Sequence, residues 1–225
     1  GVQITHEMEP AADCELLIIA TPSFGVRAAC RNLAKVLRRD TVVACVSKGL
    51  EESTLKTMSD IIEEEIPDNR CVIVSGPSHA EEIAAGVPTT VVAASRSRQA
   101  AEYVQNLLTF QNLRVYVSDD ILGVELGGAR KNVIALAAGI TDGIGTGDNA
   151  KAALMTRGIT EIARLGGAMG GKSETFAGLS GIGDLIVTCT SMHSRSRRAG
   201  ILIGQGVPAQ EAIRQIGMTV EGYTC

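Results

Sequence analysis

The first half of the chain alternates short apolar runs with longer stretches in which apolar residues recur at helical spacing. The runs at 15–20, 41–46, 71–74, 89–94 and 113–117 are predicted strands, and the stretches at 24–38, 52–65 and 97–109 are predicted helices. Strands that alternate with helices of ten or more residues predict β–α–β units and a mostly parallel sheet. The predicted strands are apolar at nearly every position, as expected when helices cover both faces of a sheet.

The pattern changes after Ser118-Asp119-Asp120, where helical spacing takes over. The later helices are predicted at 121–141, 149–165, 184–189 and 208–216. Pro208 suits a first helical turn, and Gly217 suits a C-terminal cap. We therefore predict an α/β domain over 1–118 and an all-α domain over 119–225.

Composition narrows the classes of function. The 225 residues include 45% hydrophobic and 3% aromatic residues, with no Trp, and the net charge is −4. A nucleic-acid binder usually has a basic face and aromatic stacking platforms, so nucleic acid is not an expected partner. Apolar runs are too short to insert into a membrane, and the amino end lacks the features of a secretory signal, so we expect a cytoplasmic protein.

Cysteine and histidine are scattered along the chain. The six cysteines form no CxxC pair and are interpreted as small buried hydrophobes of a reducing compartment. His6, His79 and His193 are far apart in sequence and offer no metal-ligand spacing, so no metal is expected. We interpret His79 and His193 as structural rather than catalytic.

Polar loops follow two of the predicted strands, at the sheet edge where ligands of open α/β sheets bind. Lys48 follows the second strand and suits an anion or a polarised oxygen, although an ordinary exposed lysine gives the same pattern. Ser78 follows the third strand and, with Glu81 three residues on, fits a capping box. A helix start also directs free backbone N–H groups outward, so a cap and an anion site are compatible.

The segment 121–140 is apolar or glycine at nearly every position, which predicts a buried helix. Lys131 is one of its few polar residues. If it is partly desolvated near another cation, its pKa falls and it exchanges protons near neutral pH; the alternative is a lysine that reaches solvent from the helix edge. Each helical glycine costs about 1 kcal/mol relative to Ala, which predicts a backbone or a ligand packed against that face. These glycines are Gly123, Gly127 and Gly128.

Two further segments carry candidate chemistry. Asp184 lies between glycines and an apolar helical run, where a carboxylate either caps a helix or pairs with a cation. The run Ser-Arg-Ser-Arg-Arg at 194–198 offers hydroxyl and guanidinium donors that match a phosphate. The same run is also typical of a solvated helix face.

Taken together, these segments resemble the NAD(P)-dependent glycerol-3-phosphate dehydrogenases of the bacterial type. They follow the family's order and spacing along the whole chain, and several unrelated motifs agree at once. The resemblance implies a partial Rossmann-like, mostly parallel sheet followed by an all-helical substrate domain. The matching stretches are SKGLE at 47–51, SGPSHAEE at 75–82, GVELGGARKN at 123–132, GDNAKAAL at 147–154, GLSGIGDL at 178–185, SRSRR at 194–198 and VEG at 220–222.

The resemblance implies interconversion of sn-glycerol 3-phosphate and dihydroxyacetone phosphate with NAD or NADP, feeding glycerophospholipid synthesis. Lys131 would be the general acid/base, and Lys48 and Asp184 would complete the catalytic cluster. The residues implied to contact the substrate are Lys48, Gly76, Ser78, Lys131, Asp184, Ser194, Arg195 and Ser196. Those implied to contact the dinucleotide are Lys48, Ala80, Arg195, Thr219 and Glu221. The expected partner is a small phosphorylated substrate; a homodimer stays open, and neither metal nor membrane insertion is expected.

Two features depart from the family. Ser196 stands where the family usually has asparagine, so a substrate contact would be lost or replaced by water. No GxGxxG follows an opening strand, although that turn should present helix N–H groups to the cofactor's pyrophosphate. We therefore interpret the chain as an internal fragment. We expect the 225 residues alone to bind dinucleotide poorly, to be largely inactive, and to leave an apolar strand at the sheet edge.

Two alternatives remain. A related dehydrogenase of another hydroxy acid would share the sheet and the helical lysine. An inactive fragment would serve only in binding or assembly.

Overall fold

A five-stranded sheet occupies the first half of the protein. The computed structural model describes residues 1–224, without the side chain of Thr224. The strands are β1 Leu16–Ile19, β2 Val42–Cys45, β3 Arg70–Ser75, β4 Thr89–Ala94 and β5 Leu113–Ser118. Their order in the sheet is that of the chain, and three neighbouring pairs are parallel, whereas β3 and β4 are antiparallel. The predicted mostly parallel sheet is confirmed, with β1 at one edge and Ile18 half-exposed there.

Helices surround the sheet and make up the second half of the protein. They are α1 Val26–Leu33, α2 Met58–Glu65, α3 Ala80–Ala84, α4 Arg98–Leu108, α5 Ile121–Ile144, α6 Asp148–Ala168, α7 Ser173–Phe176, α8 Asp184–Thr190, α9 Arg195–Gly204, α10 Ala209–Ile216 and α11 Glu221–Thr224. A π-helical turn at Leu179–Gly183 precedes α8. As predicted, Gly217 ends α10 in the left-handed conformation. Pro208 lies one position earlier than predicted, at the N-cap.

Apolar side chains cover the sheet on both faces. On one face, Val26, Ile61 and Val124 from α1, α2 and α5 belong to the same core cluster as the strands they cover. On the other face, Val104 of α4 packs in a cluster with Val115 of β5. Burial on both sides explains why the strands are apolar at nearly every position.

Two helix starts differ from the prediction because of capping. α2 begins at Met58, because Thr57 Oγ1 accepts from the Asp60 N–H at 3.3 Å while the Asp60 carboxylate accepts from the Thr57 N–H at 3.1 Å. This reciprocal box defines the start that the sequence pattern placed near residue 53. The predicted capping box of Ser78 with Glu81 is wrong. His79 is the N-cap of α3 without a side-chain bond, and the Ser78 hydroxyl instead donates to the Gly76 carbonyl at 3.0 Å.

The buried helix α5 is the axis of the second half, where glycines allow close approach. A Cβ at Gly127 would lie 3.0 Å from the carbonyl carbon of Ser180, which confirms the predicted backbone contact against this face. α9 was not among the predicted helices, although the run at 194–198 is typical of a solvated helix face. It forms because Gly200 lets its backbone pack against the carbonyl of Leu136 on α5.

The sheet ends at Ser118 and α5 begins at Ile121. The division into domains 1–118 and 119–225 stays a prediction. Among the described residues, no helix combines the length and the apolar character that crossing a membrane requires.

Four free cysteines are buried as predicted and a fifth, Cys14, is partly exposed; the sixth, Cys225, lies outside the described residues. The buried ones are Cys30, Cys45, Cys71 and Cys189.

Candidate active site

A cleft of about 1110 Å³ lies between the sheet edge and the helices, at the carboxyl ends of β2 and β3. This volume is slightly larger than the range of about 300–1,000 Å³ that is usual for small-molecule sites. Most of the residues proposed from the sequence line it: Lys48, Ser78, Ala80, Lys131, Ser194, Arg195, Ser196, Thr219 and Glu221. Gly76 and Asp184 are not among the lining residues, but each accepts a hydrogen bond from Lys48, which lines the cleft.

Asp184 holds the two lysines of the cleft together. It is 1% exposed at the first turn of α8, and one carboxylate oxygen accepts from Lys131 while the other accepts from Lys48 Nζ at 2.7 Å. Of the two roles left open by the sequence, the structure shows the pairing with cations. A buried carboxylate between two ammonium groups fixes the positions of both amines.

Lys131 is buried, so the reading of a lysine that extends to solvent is wrong. Its residue exposure is 7%, and it points from α5 toward the cleft. Burial is the largest cause that lowers its pKa, the nearby Lys48 ammonium is the next, and Asp184 opposes both, leaving a pKa of about 8. Near neutral pH, Lys131 is therefore able to exist both as an ammonium and as a free amine.

Lys48 reaches the same point from the β2 loop. Its aliphatic stem lies over Gly128 of α5, where a Cβ would be 3.5 Å from Lys48 Cδ, and its ammonium also donates to the Gly76 carbonyl at 3.0 Å. Its side chain is 18% exposed. The reading of an ordinary exposed lysine is therefore wrong, because the glycine at 128 leaves room for it.

The basic run 194–198 separates into different roles. Ser194 caps α9 by accepting from the Arg197 N–H at 3.2 Å, and Arg195 faces the cleft with a side chain 36% exposed. Arg197 instead pairs with Asp142 of α5 at 2.7 Å, and Arg198 is exposed. Of the three arginines in the run, Arg195, at the positive N-terminal end of α9, therefore stays the candidate for binding a phosphate.

Two hydrogen bonds and an ion pair connect the starts of α9 and α11 to each other and to α5. The Ser196 hydroxyl accepts from the Gly222 N–H at 3.2 Å. Asn132 donates to Glu221 at 2.6 Å, and Arg195 lies 4.0 Å from the same carboxylate. Asn132 was not assigned to the site from the sequence, and its position beside Lys131 in an apolar helix was the available signal.

A second buried carboxylate, Glu125, lies outside the cleft lining. It accepts from the Ser59 N–H at 2.8 Å and from the Ser59 hydroxyl at 2.6 Å, so α5 caps the start of α2. Burial raises the pKa of Glu125 to about 7. Glu125 is visible in the sequence as a charged residue of an apolar helix, but the sequence could not identify its partner.

Models of one protein family match almost the entire chain. The model described as the N-terminus of NAD-dependent glycerol-3-phosphate dehydrogenase matches residues 1–101, and the model described as its C-terminus matches 120–225. Glycerol-3-phosphate dehydrogenase (NAD(P)+) of Clostridium acetobutylicum is 54% identical over 222 residues, which are 98% of this chain and 67% of that protein. The chain belongs to the NAD-dependent glycerol-3-phosphate dehydrogenase family.

Other glycerol-3-phosphate dehydrogenases extend the likeness in sequence and fold. The enzyme of Clostridium perfringens strain SM101 is 59% identical over 92% of this chain and 63% of its own length. The crystal structure of the Coxiella burnetii enzyme is 40% identical, with a TM-score of 0.89 over 93% of this chain and 64% of that one. The Saccharomyces cerevisiae enzyme is 25% identical, with a TM-score of 0.86. The chain thus spans just under two thirds of the length of the first of these relatives.

Proposed function

We propose that this protein interconverts sn-glycerol 3-phosphate and dihydroxyacetone phosphate, with NAD or NADP as the hydride carrier, in support of glycerophospholipid synthesis. The observation that carries the proposal is the buried Lys131, held by Asp184 beside Lys48, in a cleft that also contains Arg195. Membership of the family supports the same reaction.

Lys131 is the proposed proton carrier. In the oxidative direction its free amine takes the hydroxyl proton of the substrate as the adjacent carbon loses hydride. In the reductive direction its ammonium polarises the ketone and returns that proton to the oxygen. A pKa of about 8 makes both forms available near neutral pH. Asp184 keeps the amine in place, and Lys48 adds positive charge where oxygen charge develops.

Arg195 is the proposed anchor for the phosphate group. It is the first residue of α9, its guanidinium is partly exposed in the cleft, and Ser194 and Ser196 on either side are buried. The helix N-terminus adds positive potential at the same place. Binding energy at a phosphate remote from the reacting carbon is then available to orient that carbon.

The residues at the cleft rim also fit a dinucleotide. Arg195 provides donors for a phosphate, and the Glu221 carboxylate provides acceptors for hydroxyl or amide donors. NAD(P), when bound, accepts or supplies the hydride. Ala80 and Thr219 line the same cleft and complete the proposed contacts. A homodimer, a cytoplasmic location and independence from metal stay predictions.

The 225 residues alone are expected to be largely inactive, so the test uses a purified chain that spans the full length of the family relatives. It compares that chain with its Lys131→Ala variant by NAD(P)H absorbance on glycerol 3-phosphate and dihydroxyacetone phosphate. Loss of positioned proton transfer should lower kcat by roughly 10²–10⁴-fold. Lys35→Ala, at an exposed lysine outside the cleft, is the matched control and should keep full activity. Full activity of Lys131→Ala would disprove the assigned role.

Substrate class is tested at Arg195. Arg195→Ala should raise KM for glycerol 3-phosphate by about 10–150-fold, because a charge-assisted hydrogen bond contributes roughly 1.5–3 kcal/mol. Activity on unphosphorylated glycerol should stay equally low in both proteins. Equal efficiency on phosphorylated and unphosphorylated substrates would instead support the dehydrogenase of another hydroxy acid.

A further inference from the structure

Arg27 on α1 binds three carboxylates with one guanidinium. Its Nε and Nη2 donate to the two carboxylate oxygens of Glu51 at 2.7 and 2.8 Å, and its Nη1 donates to Glu64 at 2.9 Å and to Glu65 at 2.5 Å. Glu64 and Glu65 belong to α2, whereas Glu51 belongs to the loop that follows β2. One side chain therefore joins α1, α2 and the loop that carries Lys48.

The contact between Arg27 and Glu51 differs from an ordinary surface ion pair. Exposed pairs contribute little, because solvent screens the charges and ordering two long side chains costs entropy. The Arg27 side chain is only 17% exposed and that of Glu51 is 16% exposed, and their two parallel hydrogen bonds give the contact a defined orientation. Arg27 is also the largest cause that lowers the pKa of Glu51, to about 2. The pair is therefore ionised near neutral pH.

Glu51 depends on Arg27 more than the carboxylates of α2 do. Those two carboxylates also pair with Lys56 and Arg31, so each keeps a cation when Arg27 is removed. Among the described side chains, Arg27 is the only cation in an ion pair with Glu51, and its other side-chain donor is the neutral hydroxyl of Thr54, at 2.5 Å in the same loop. Loss of Arg27 therefore frees the loop selectively.

This loop determines the position of Lys48. Lys48 lies three residues before Glu51, and its Nζ donates to Asp184 at 2.7 Å. Before Lys48, the Ser47 hydroxyl fixes the chain by donating to the carbonyl of another loop residue. After Lys48 the chain turns at Gly49 with a φ of 134°, where the absence of a side chain leaves the backbone freedom to change direction. A restraint on the far side of that turn is therefore needed to hold Lys48 from both ends.

We propose that Arg27 is a positioning residue, which acts through Glu51 to hold the ammonium of Lys48 in the catalytic cluster. The inference rests on the proposed function, because the position of Lys48 affects the rate only if the cluster carries out the proton transfer. Arg27 itself lies on α1 and is not among the residues that line the cleft.

Loss of Arg27 has two consequences for the cluster. Leu50 still packs against the apolar cluster that contains Leu126, so the loop is displaced and not released. A displacement of about 1 Å far from the reacting atoms is able to cost up to about 10²-fold in rate. Lys48 is the second-largest cause that lowers the pKa of Lys131, so its retreat raises that pKa above about 8. A general loss of stability does not move this pKa.

The experiment compares Arg27→Gln with Arg31→Gln in a purified chain that spans the full length of the family relatives. Arg31 is the matched control, because it lies four residues later on α1 and its only ion pair among the described side chains is with Glu65. Hydrogen exchange of residues 47–56 measures the loop, in which the Glu51 N–H donates to the Lys56 carbonyl at 2.9 Å. Initial rates across pH 6–10 measure kcat/KM for glycerol 3-phosphate oxidation.

Arg27→Gln should exchange faster in this loop, lower kcat/KM by about 10–100-fold and move its rise with pH to a value above about 8. Arg31→Gln should do none of these. Arg27→Lys keeps the charge without the two parallel hydrogen bonds, so it should recover part of kcat/KM. In a Glu51→Ala background, Arg27→Gln should change kcat/KM by less than about twofold, because the contact is already absent.

Circular dichroism and the melting temperature first establish that each variant is folded. An unchanged pH profile in folded Arg27→Gln, an equal shift in Arg31→Gln, or a full effect of Arg27→Gln in the Glu51→Ala background would overturn the positioning role. If the unaltered chain does not turn over glycerol 3-phosphate, the proposed function fails, and hydrogen exchange decides the contact without turnover. Faster exchange in Arg27→Gln alone then supports the hold on the loop, whereas equal exchange in both arginine variants refutes it.

Discussion

Replacing Asp184 with asparagine removes the charge that holds both cleft lysines. The carboxylate is 1% exposed and accepts from Lys131 and from Lys48. Removing one partner from a buried ion pair costs about 3–5 kcal/mol, because the remaining charges stay buried without compensation. For a chain of this size, 1 kcal/mol corresponds to about 2–4 °C, so we expect the melting temperature to fall by roughly 6–20 °C.

Asp184→Asn should also move the pH dependence of the reaction. Asp184 raises the pKa of Lys131, so its loss lowers that pKa below about 8. The free amine then exists at lower pH, and the rise of kcat/KM for glycerol 3-phosphate oxidation should shift to lower pH. The assays are thermal unfolding followed by circular dichroism and initial rates across pH 6–10.

Asp142→Asn is the matched control, because Asp142 also pairs with two cations, Lys151 at 2.6 Å and Arg197 at 2.7 Å, but does not line the cleft. Its side chain is 17% exposed, so we expect a smaller loss of stability and no shift in the pH profile. The reasoning is refuted if Asp184→Asn loses less than about 1 kcal/mol and keeps the pH profile of the unaltered protein.

The remaining predictions concern pH and packing. In the unaltered protein, kcat/KM for oxidation should rise with pH through about 8 as Lys131 loses its proton, and kcat for reduction should fall over the same range. Rates that do not change across this pH range would argue against Lys131 as the base. Gly200→Ala should lower the free energy of unfolding by about 1–3 kcal/mol, because the added Cβ meets the Leu136 carbonyl. At Gly167 an added Cβ meets nothing within 4 Å, so Gly167→Ala should raise the free energy of unfolding by up to about 1 kcal/mol. Urea unfolding measures both changes. The pKa of Glu125 rises from 4.5 to about 7 on folding, so its contribution to the free energy of unfolding is fully present below pH 4.5 and is lost as pH rises through 7. Glu125→Gln should remove about 3 kcal/mol of the pH dependence of that free energy. An unchanged dependence of the free energy of unfolding on pH would contradict the shift.

Much of the architecture was predictable because it depends on local periodicity. Apolar runs bounded by loops identified all five strands, and the apolar character of 121–140 identified α5 as buried. The glycine at 127 predicted close backbone contact before its partner was known. The antiparallel pairing of β3 with β4 was not predictable, since strand direction depends on where the connecting chain crosses the sheet.

The site was predictable in composition but not in geometry. Lys131 could be singled out as a cation in an apolar helix, but its hydrogen bond with Asp184 depends on how α8 packs against α5. Arg197 looks equivalent to Arg195 in sequence, but helix rotation directs it to Asp142 instead of the cleft.

The sequence by itself determined the five strands and most of the helices, which faces are buried, and which residue types are available for acid–base and phosphate chemistry. These properties depend on neighbours within a few positions, so the linear pattern contains them. The tertiary structure alone decided that two lysines share one carboxylate, that Arg195 faces the cleft, and that His79 meets His193. Those contacts join residues from opposite sides of the cleft, and their distances arise only when the helices pack against the sheet.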